Sequence, residues 1–275
     1  MTTVTNWNEV YNSAELGKKI GSEVINEIKS SMCAVTHDGV YHADDVFCME
    51  LINYVIGEEV TFLRTREEQS HFTFDVGGGS FDHHQCDEFR NGNNDGILAS
   101  FGKLWCTIGR NIGLREEVWK EIDSLFVQEI DLTDNTGKMN PVNFAINATK
   151  HLGIGEEGLS AARAVAREML KNIIESGLKK SRELDLFFKE IENRNSDSDV
   201  LILTRHFTVT RDVYQKFGIN WIIFPDIQAG TFNLQAVGNK KLKDSQSSDE
   251  DVKFIHKGLW LAKTKSIEAA LRLVV

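Results

Sequence analysis

Residues 36–45, THDGVYHADD, carry two histidines and three aspartates, and residues 74–85, FDVGGGSFDHHQ, carry two more of each. Imidazole nitrogens and carboxylate oxygens together suit first-row divalent ions. The candidates are His37, His42 and Asp44 from the first stretch and Asp75, Asp82, His83 and His84 from the second. The segment QEIDLTDN adds Asp131 or Asp134. These groups exceed what one mononuclear site needs and fit a two-ion centre with a bridging carboxylate, in which ions ~3.5–4 Å apart activate water and stabilise a leaving oxygen. Without metal, so many close acids would repel one another and force protons onto some of them.

The surrounding pattern supplies elements able to bring the two stretches together. AELGKKIGSEVINEIKS reads as an amphipathic helix, and SMCAVTH as a buried strand delivering Thr36 and His37 at its carboxyl end. DDVFCMELINYVI has helical periodicity, with Asp44 and Asp45 at its start, where carboxylates complement the helix dipole. EVTFLRT and HFTFDVG read as two further strands. Open α/β sheets bind ligands beyond the carboxyl ends of their strands. The expected fold is therefore α/β: an N-terminal α/β domain with a mostly parallel sheet over 1–150, a helical connector over 151–197, and a smaller C-terminal α/β domain over 198–275. Residues 97–136 and 158–194 read as helical, 195–199 marks a change, and 238–251 reads as an exposed polar loop.

Bulk properties narrow the function. The chain has 275 residues, 41% hydrophobic, with two prolines. No run of about 18 apolar residues predicts a membrane span, and the N-terminus lacks a basic start and apolar stretch, so no secretion signal is expected. Four cysteines without CxxC spacing read as reduced intracellular thiols. The expected location is intracellular and cytoplasmic, including the cytoplasm of a host for a viral protein. The net charge of −10 argues against a nucleic-acid coat and against duplex DNA. It leaves room for a nucleotide or short RNA, because bound cations supply local positive charge.

Several residues also have plainer readings. Arg64 and Arg66 share one face of a strand, which suits either substrate contact or salt bridges to Glu67 or Glu68. Gly77–Gly79 can be a simple turn, since no GK[ST] follows. His71, His151 and His206 read as structural, Cys86 as small and buried, and the five tryptophans as core with no base-stacking platform.

Asp-His-His after a strand ending in Asp is the signature of the DHH phosphoesterase superfamily. THDGVYHADDV, RTR, DVGG, FDHHQ, ASFGKLW and EIDLTDN together resemble the MYG1 family (UPF0160) over residues 33–137, with a weaker return at 254–275. The resemblance implies that His37 and His42 bind the first metal, Asp44 and His83 the second with Asp131 completing it, and that Asp75 bridges both. It makes Asp82 an orienting group for an imidazole and His84 a phosphate contact or general acid. Arg64, Arg66, His256 and Gly258 become substrate contacts. It also implies two divalent ions, Mn²⁺ first, with Mg²⁺, Co²⁺ or Zn²⁺ as alternatives. Two departures bear on the substrate: only Gly79, Ser80 and Phe81 separate DVGG from DHH, and the C-terminal glycine-rich stretch is shortened to HKGLWLAKTKS.

The expected activity is metal-dependent hydrolysis of phosphodiester bonds in nucleotides or short RNA, as a 3′-to-5′ exoribonuclease. One alternative keeps the centre but acts on a small nucleotide, cyclic dinucleotide or pyrophosphate. Another keeps the fold as a non-catalytic nucleotide-binding protein. Assembly state is left open.

Overall fold

The computed structural model describes residues 2–67, 70–84, 88–90, 96–192, 198–243 and 249–274. Cys86, Glu68 and parts of 195–199 and 238–251 lie outside these residues. The chain forms two compact units, Met1–Leu178 and Lys179–Val275. Their division falls inside one long helix, Glu156–Ile191, and not at either end of the expected connector. That helix has apolar residues buried along its length, including Leu159, Ala166, Ile174, Leu184 and Phe187, so it contributes to a core on each side of the division.

The first unit runs α1 (Trp7–Asn12), α2 (Ala14–Ser31), β1 (Cys33–Thr36), α3 (Ala43–Ile56), β2 (Thr61–Arg64), β3 (Phe72–Thr73), α4 (Ser100–Cys106), α5 (Glu116–Ile122), α6 (Gln128–Thr136), α7 (Pro141–Ala148) and the start of α8 (Glu156–Ile191). The three strands form a parallel sheet in the order β2-β1-β3. Every residue of the central strand β1 is buried, as expected for a parallel strand covered on both faces. Ser13 caps α2 by accepting from the Leu16 N–H, and the helix buries Gly17, Ile20, Gly21, Val24 and Ile28 along one stripe. A Cβ at Gly17 or Gly21 would stand 2.5 Å from the carbonyl oxygens of Cys106 or Thr107. These glycines let α2 lie directly against the end of α4.

The expected helical stretch 97–136 is broken into pieces. α4 gives way to a 3₁₀ turn over Ile108–Ile112, which ends at Gly113 with φ 92°. α5 passes through a π-helical turn, Asp123–Val127, into α6. The breaks place the start of α4 and the middle of α6 beside the carboxyl ends of β1 and β3.

The second unit contains the end of α8, β4 (Val200–Ile202), α9 (Arg211–Lys216), β5 (Trp221–Asp226), β6 (Thr231–Ala236), β7 (Val252–Ile255), β8 (Leu261–Thr264) and α10 (Ile267–Arg272). Its five-stranded sheet has the order β4-β5-β6-β8-β7. β4 and β5 are parallel, and the remaining pairs are antiparallel. One face packs Ile222 and Phe224 against Phe187, Phe207 and Tyr214. The other packs Trp221, Ile223, Leu234, Ala236 and Ala262 against Ala270 and Leu273 of the C-terminal segment. Both units are α/β. Among the described residues, no helix is long and apolar enough to cross a membrane.

Candidate metal centre

β1 ends at Thr36 and hands the chain to His37, which is only 5% exposed. Its Nδ1 lies 2.7 Å from the Asp38 carbonyl oxygen. A carbonyl only accepts, so Nδ1 carries a proton, and Nε2 is the nitrogen that would turn to an ion after giving up its own proton. Nε2 lies 3.2 Å from Asp75 Oδ2 and 3.6 Å from Asp45 Oδ2. Asp45 is fixed because its Oδ1 accepts from the His42 N–H at 2.7 Å, which ties down the first turn of α3.

Asp75, just beyond β3, holds a left-handed backbone with φ 57°, an uncommon conformation for a non-glycine residue and a frequent mark of functional sites. Its two oxygens face in different directions. Oδ2 meets His37, while Oδ1 lies 3.1 Å from His83 Nδ1. His83 Nε2 is 2.8 Å from Asp134 Oδ2, and its Nδ1 is 3.9 Å from Asp44 Oδ2. Three groups of donors therefore lie close enough to grip an ion: His37, Asp45 and Asp75; Asp44, His83 and Asp134; and Asp75, Asp82, His83 and His84. Asp75 and His83 each belong to two of them.

α4 anchors this centre from below. The Phe101 N–H donates to Asp44 Oδ1 at 2.8 Å, and Ser100 Oγ donates to Asp75 Oδ1 at 3.2 Å and lies 3.0 Å from His83 Nδ1. One turn on, Lys103 is 1% exposed. Its ammonium donates to the Asp82 carbonyl at 2.7 Å, pairs with Glu88 at 2.5 Å and lies over the Trp7 ring. Lys103 thus fixes the backbone just before the two histidines.

The electrostatics are those of a site built around a cation. Burial, then the neighbouring Asp75, pushes Asp45 up to about 7 and Asp44 well above the ordinary carboxylate range. The hydrogen bond to Asp75 raises His37 to about 9. Burial would lower His83, but its bonds to Asp134 and Asp75 outweigh that and raise it to about 11. Burial likewise opposes ionisation of Asp75, yet the same two imidazoles hold its carboxyl below the usual range. Asp44 Oδ2 and Asp45 Oδ2 are buried with no hydrogen-bond partner. Orphaned buried carboxylate oxygens are costly, and both belong to atom sets that could coordinate an ion. The residues therefore fit a divalent metal.

Residues 33–155 match the MYG1_exonuc family, described as an uncharacterised protein family (UPF0160). Every donor in the three groups falls inside this MYG1_exonuc stretch. No curated protein matches the chain. Among solved structures, the chain is similar to RecJ from Thermus thermophilus in complex with Mn²⁺, at 12% identity and a TM-score of 0.31, covering 96% of this chain and 52% of that one. It is similar to exonuclease RecJ bound to manganese at 12% identity and a TM-score of 0.31, covering 97% and 91%. Thermus thermophilus RecJ in complex with Mg²⁺ gives 14% identity and a TM-score of 0.28, covering 96% and 50%. The chain spans about half the length of the first of these.

Within the MYG1_exonuc stretch, the structure departs from the expected ligand set in two places. Asp131 is fully buried but turned away from the histidines: it accepts from Arg90 at 2.5 Å and from the Gly102 N–H at 3.0 Å. Burial outweighs Arg90 and raises its carboxyl to about 6. Asp134, one helical turn later, takes the position beside His83. His42 stands at the rim with a half-exposed ring, its Nδ1 3.9 Å from Asp134 Oδ1, outside all three groups, whereas Asp45 reaches inward. α3 starts at Ala43, so His42 lies on the outer side of the chain reversal.

Asp82 lies against an imidazole: its Oδ1 is 2.7 Å from His84 Nδ1, and its Oδ2 accepts from the Gly78 N–H at 2.7 Å. Burial opposes the charge on Asp82, but the bonds from Gly78 and His84 keep its carboxyl below the usual range. His84 stacks on His83 at 4.5 Å and is half exposed. Arg66, Asp75, Val76, Gly77, Gly78, Asp82 and His84 line a cavity of ≈330 Å³. Arg66 also pairs with Asp38 at 2.8 Å, while Arg64 donates to the Gly39 carbonyl and stands 4.0 Å from Asp45.

His256 and Gly258 lie in the second unit, in one tight turn where the Gly258 N–H donates to His256 Nδ1 at 3.0 Å. Sequence reasoning missed Asp45, Ser100, Lys103 and Lys150. Lys150 sits over Tyr41, the neighbour of His42, and its charge is felt by His42 and Asp45. A larger cavity of ≈380 Å³ lies beside Glu50 and Arg167. There Glu50 is already paired with Arg163 and Arg167, so it offers no free ligand set.

Proposed function

We propose that this protein is a metal-dependent phosphoesterase that hydrolyses phosphodiester bonds of nucleotides or short RNA, as a 3′-to-5′ exoribonuclease, with Mn²⁺ the preferred ion. The observation that carries the reading is Asp75 placed between two donor sets, with buried unpartnered oxygens on Asp44 and Asp45. His37, Asp45 and Asp75 would hold one ion, and Asp44, Asp75, His83 and Asp134 the other. Two such ions would supply Lewis-acid chemistry, acidifying water and screening phosphate charge.

The protein's own groups account for the rest. Asp82 keeps the His84 proton on Nδ1 and leaves Nε2 to the substrate, where the charged ring would give a proton to a leaving oxygen or hold a phosphate oxygen by its Nε2–H. Arg66, on the rim of the same cavity, offers a fork that matches two phosphate oxygens. Lys150 and Arg64 add positive charge beside the first donor set. Gly77 and Gly78 have φ of 85° and 69°, which lets the backbone turn closely under the cavity without a side chain in the way. The small size of the cavity also favours a second reading, in which the substrate is a small nucleotide or a pyrophosphate.

The test is hydrolysis of a short RNA labelled at its 5′ end. Shortening from the 3′ end that requires Mn²⁺ and stops with chelator is the expected result. Activity that survives chelation would overturn the metal reading, and cleavage of a small nucleotide alone would favour the second substrate class.

A further inference from the structure

Arg64 and Arg66 stand two residues apart, yet only Arg66 faces outward. β2 ends at Arg64, so the alternation that would put both side chains on one face stops there. The Arg66 side chain is 69% exposed and lines the cavity beside His84. The Arg64 side chain is 18% exposed. One of its terminal nitrogens donates to the Gly39 carbonyl at 3.0 Å and lies 4.0 Å from Asp45 Oδ2. Gly39 belongs to the loop that joins His37 to α3. The guanidinium therefore braces the segment that carries two ligands of the first donor set, His37 and Asp45. Its Nε is buried and has no hydrogen-bond partner among the described residues.

Thr36 stands beside it. β1 and β2 are parallel with Thr36 and Arg64 in register. Registered residues on strands about 4.8 Å apart project from the same face of the sheet. Thr36 is fully buried, and its hydroxyl also has no partner among the described residues. Asp45 Oδ2 is a third such atom. The three are complementary. The Arg64 Nε–H only donates, the hydroxyl donates and accepts, and the carboxylate oxygen accepts, with a lone pair left over when an ion takes the other. Left apart, each would be a costly buried polar group. One water that accepts from Arg64 Nε and Thr36 Oγ1 and donates to Asp45 Oδ2 satisfies all three, and a polar separation of 4.0 Å is the kind that water bridges. Asp45 Oδ1 is already fixed by the His42 N–H, so a hold on Oδ2 sets the plane of the whole carboxylate.

We propose that Thr36 and Arg64 are positioning residues for the first ion: through one buried water they aim Asp45 Oδ2 at the place between His37 and Asp75, and Arg64 is not a substrate contact. The inference rests on the two-ion reading of the centre, but one of its readouts needs no metal. Thr36→Val keeps the shape of the side chain and removes the hydroxyl. A hydroxyl that truly lacked a partner would be better replaced by methyl, whereas one that anchors a bridge would be missed. The urea midpoint of the chelated full-length protein should therefore fall in Thr36→Val.

Isothermal titration with Mn²⁺ gives the second readout. Thr36→Val and Arg64→Met should each weaken one of the two ions by about tenfold or more and leave the other unchanged. Thr36→Ser, which keeps the hydroxyl, should recover most of that affinity. Circular dichroism confirms that each variant is folded, and Arg64→Met carries the test if Thr36→Val is not. A midpoint equal to or above that of wild type in Thr36→Val, equal weakening of both ions, or two-ion affinity unchanged in Arg64→Met would each overturn the proposal. Wild type that binds no Mn²⁺ would sink the metal reading and with it the role of these residues towards an ion, while the midpoint of chelated Thr36→Val would still decide whether the bridge exists.

Discussion

Asp131 and Asp134 sit three residues apart on α6, share one side of the helix and have different work. Asp134 meets His83 Nε2 at 2.8 Å. Asp131 neutralises Arg90, a guanidinium 2% exposed that also pairs with Asp123. Asp134→Ala should lower Mn²⁺ affinity by at least about tenfold, the scale seen when groups around a bound metal are removed, with little loss of stability. Asp131→Ala should do the reverse. It strips one partner from a buried cation, a change that costs about 3 kcal/mol or more, so the urea midpoint should fall while Mn²⁺ affinity is largely kept. Isothermal titration and urea unfolding of the two variants check both halves. The opposite pattern would restore Asp131 as the ligand.

At the scale of elements, α4 is the support on which the centre rests. Its first residues bond Asp44, Asp75 and Asp131, and Lys103 ties the Asp82 backbone to Glu88. Lys103→Met keeps the stem and removes the ammonium, leaving the Asp82 carbonyl without its donor. Loss of such a bond costs about 1–3 kcal/mol. Urea unfolding should show that loss, and the visible spectrum of the Co²⁺-loaded protein should shift as the His83 loop relaxes. An unchanged spectrum would limit Lys103 to a packing role.

Much of this scale was legible in the sequence. The β1–α3 unit, the strand ending near Asp75 and the clustering of two acid-and-histidine stretches follow from periodicity and spacing. The choice of Asp134 over Asp131 does not, because a π-helical turn at 123–127 sets the rotation of α6 and because Arg90, far from both in sequence, claims Asp131. Asp45 was hidden for a similar reason: adjacent helix positions look alike in sequence until the helix start is fixed, and α3 begins one residue after His42. The expectation that all five tryptophans are core fails at Trp260, which is exposed, because burial of a lone aromatic in a strand-rich region depends on whether anything covers that end of the sheet.

For the whole molecule, the linked protonation of the centre should be visible as a pH dependence of stability. In the metal-free protein, Asp45 is raised from 3.8 to about 7 and His37 from 6.5 to about 9. Groups raised in the folded state stabilise it below their unfolded values, and that stabilisation is lost as pH rises through the folded ones. Asp75, held below its ordinary range, acts oppositely, but its contribution is lost only in strong acid. The melting temperature of chelated protein should therefore fall between about pH 6 and pH 9. Mn²⁺ should flatten or reverse the fall, because ions displace these protons and bind more tightly as pH rises. Calorimetric scans at three pH values, with and without Mn²⁺, test this; a metal-independent profile would contradict it.

The most direct test of the two-ion centre is the stoichiometry of Mn²⁺ binding to wild type and to Asp75→Asn, by isothermal titration at about pH 8, where the ligands shed their protons readily to an ion. The shared position of Asp75 predicts two ions per chain in wild type and loss of tight binding at both sites in the variant. A single ion in wild type, or two ions bound with unchanged affinity by Asp75→Asn, would contradict the account.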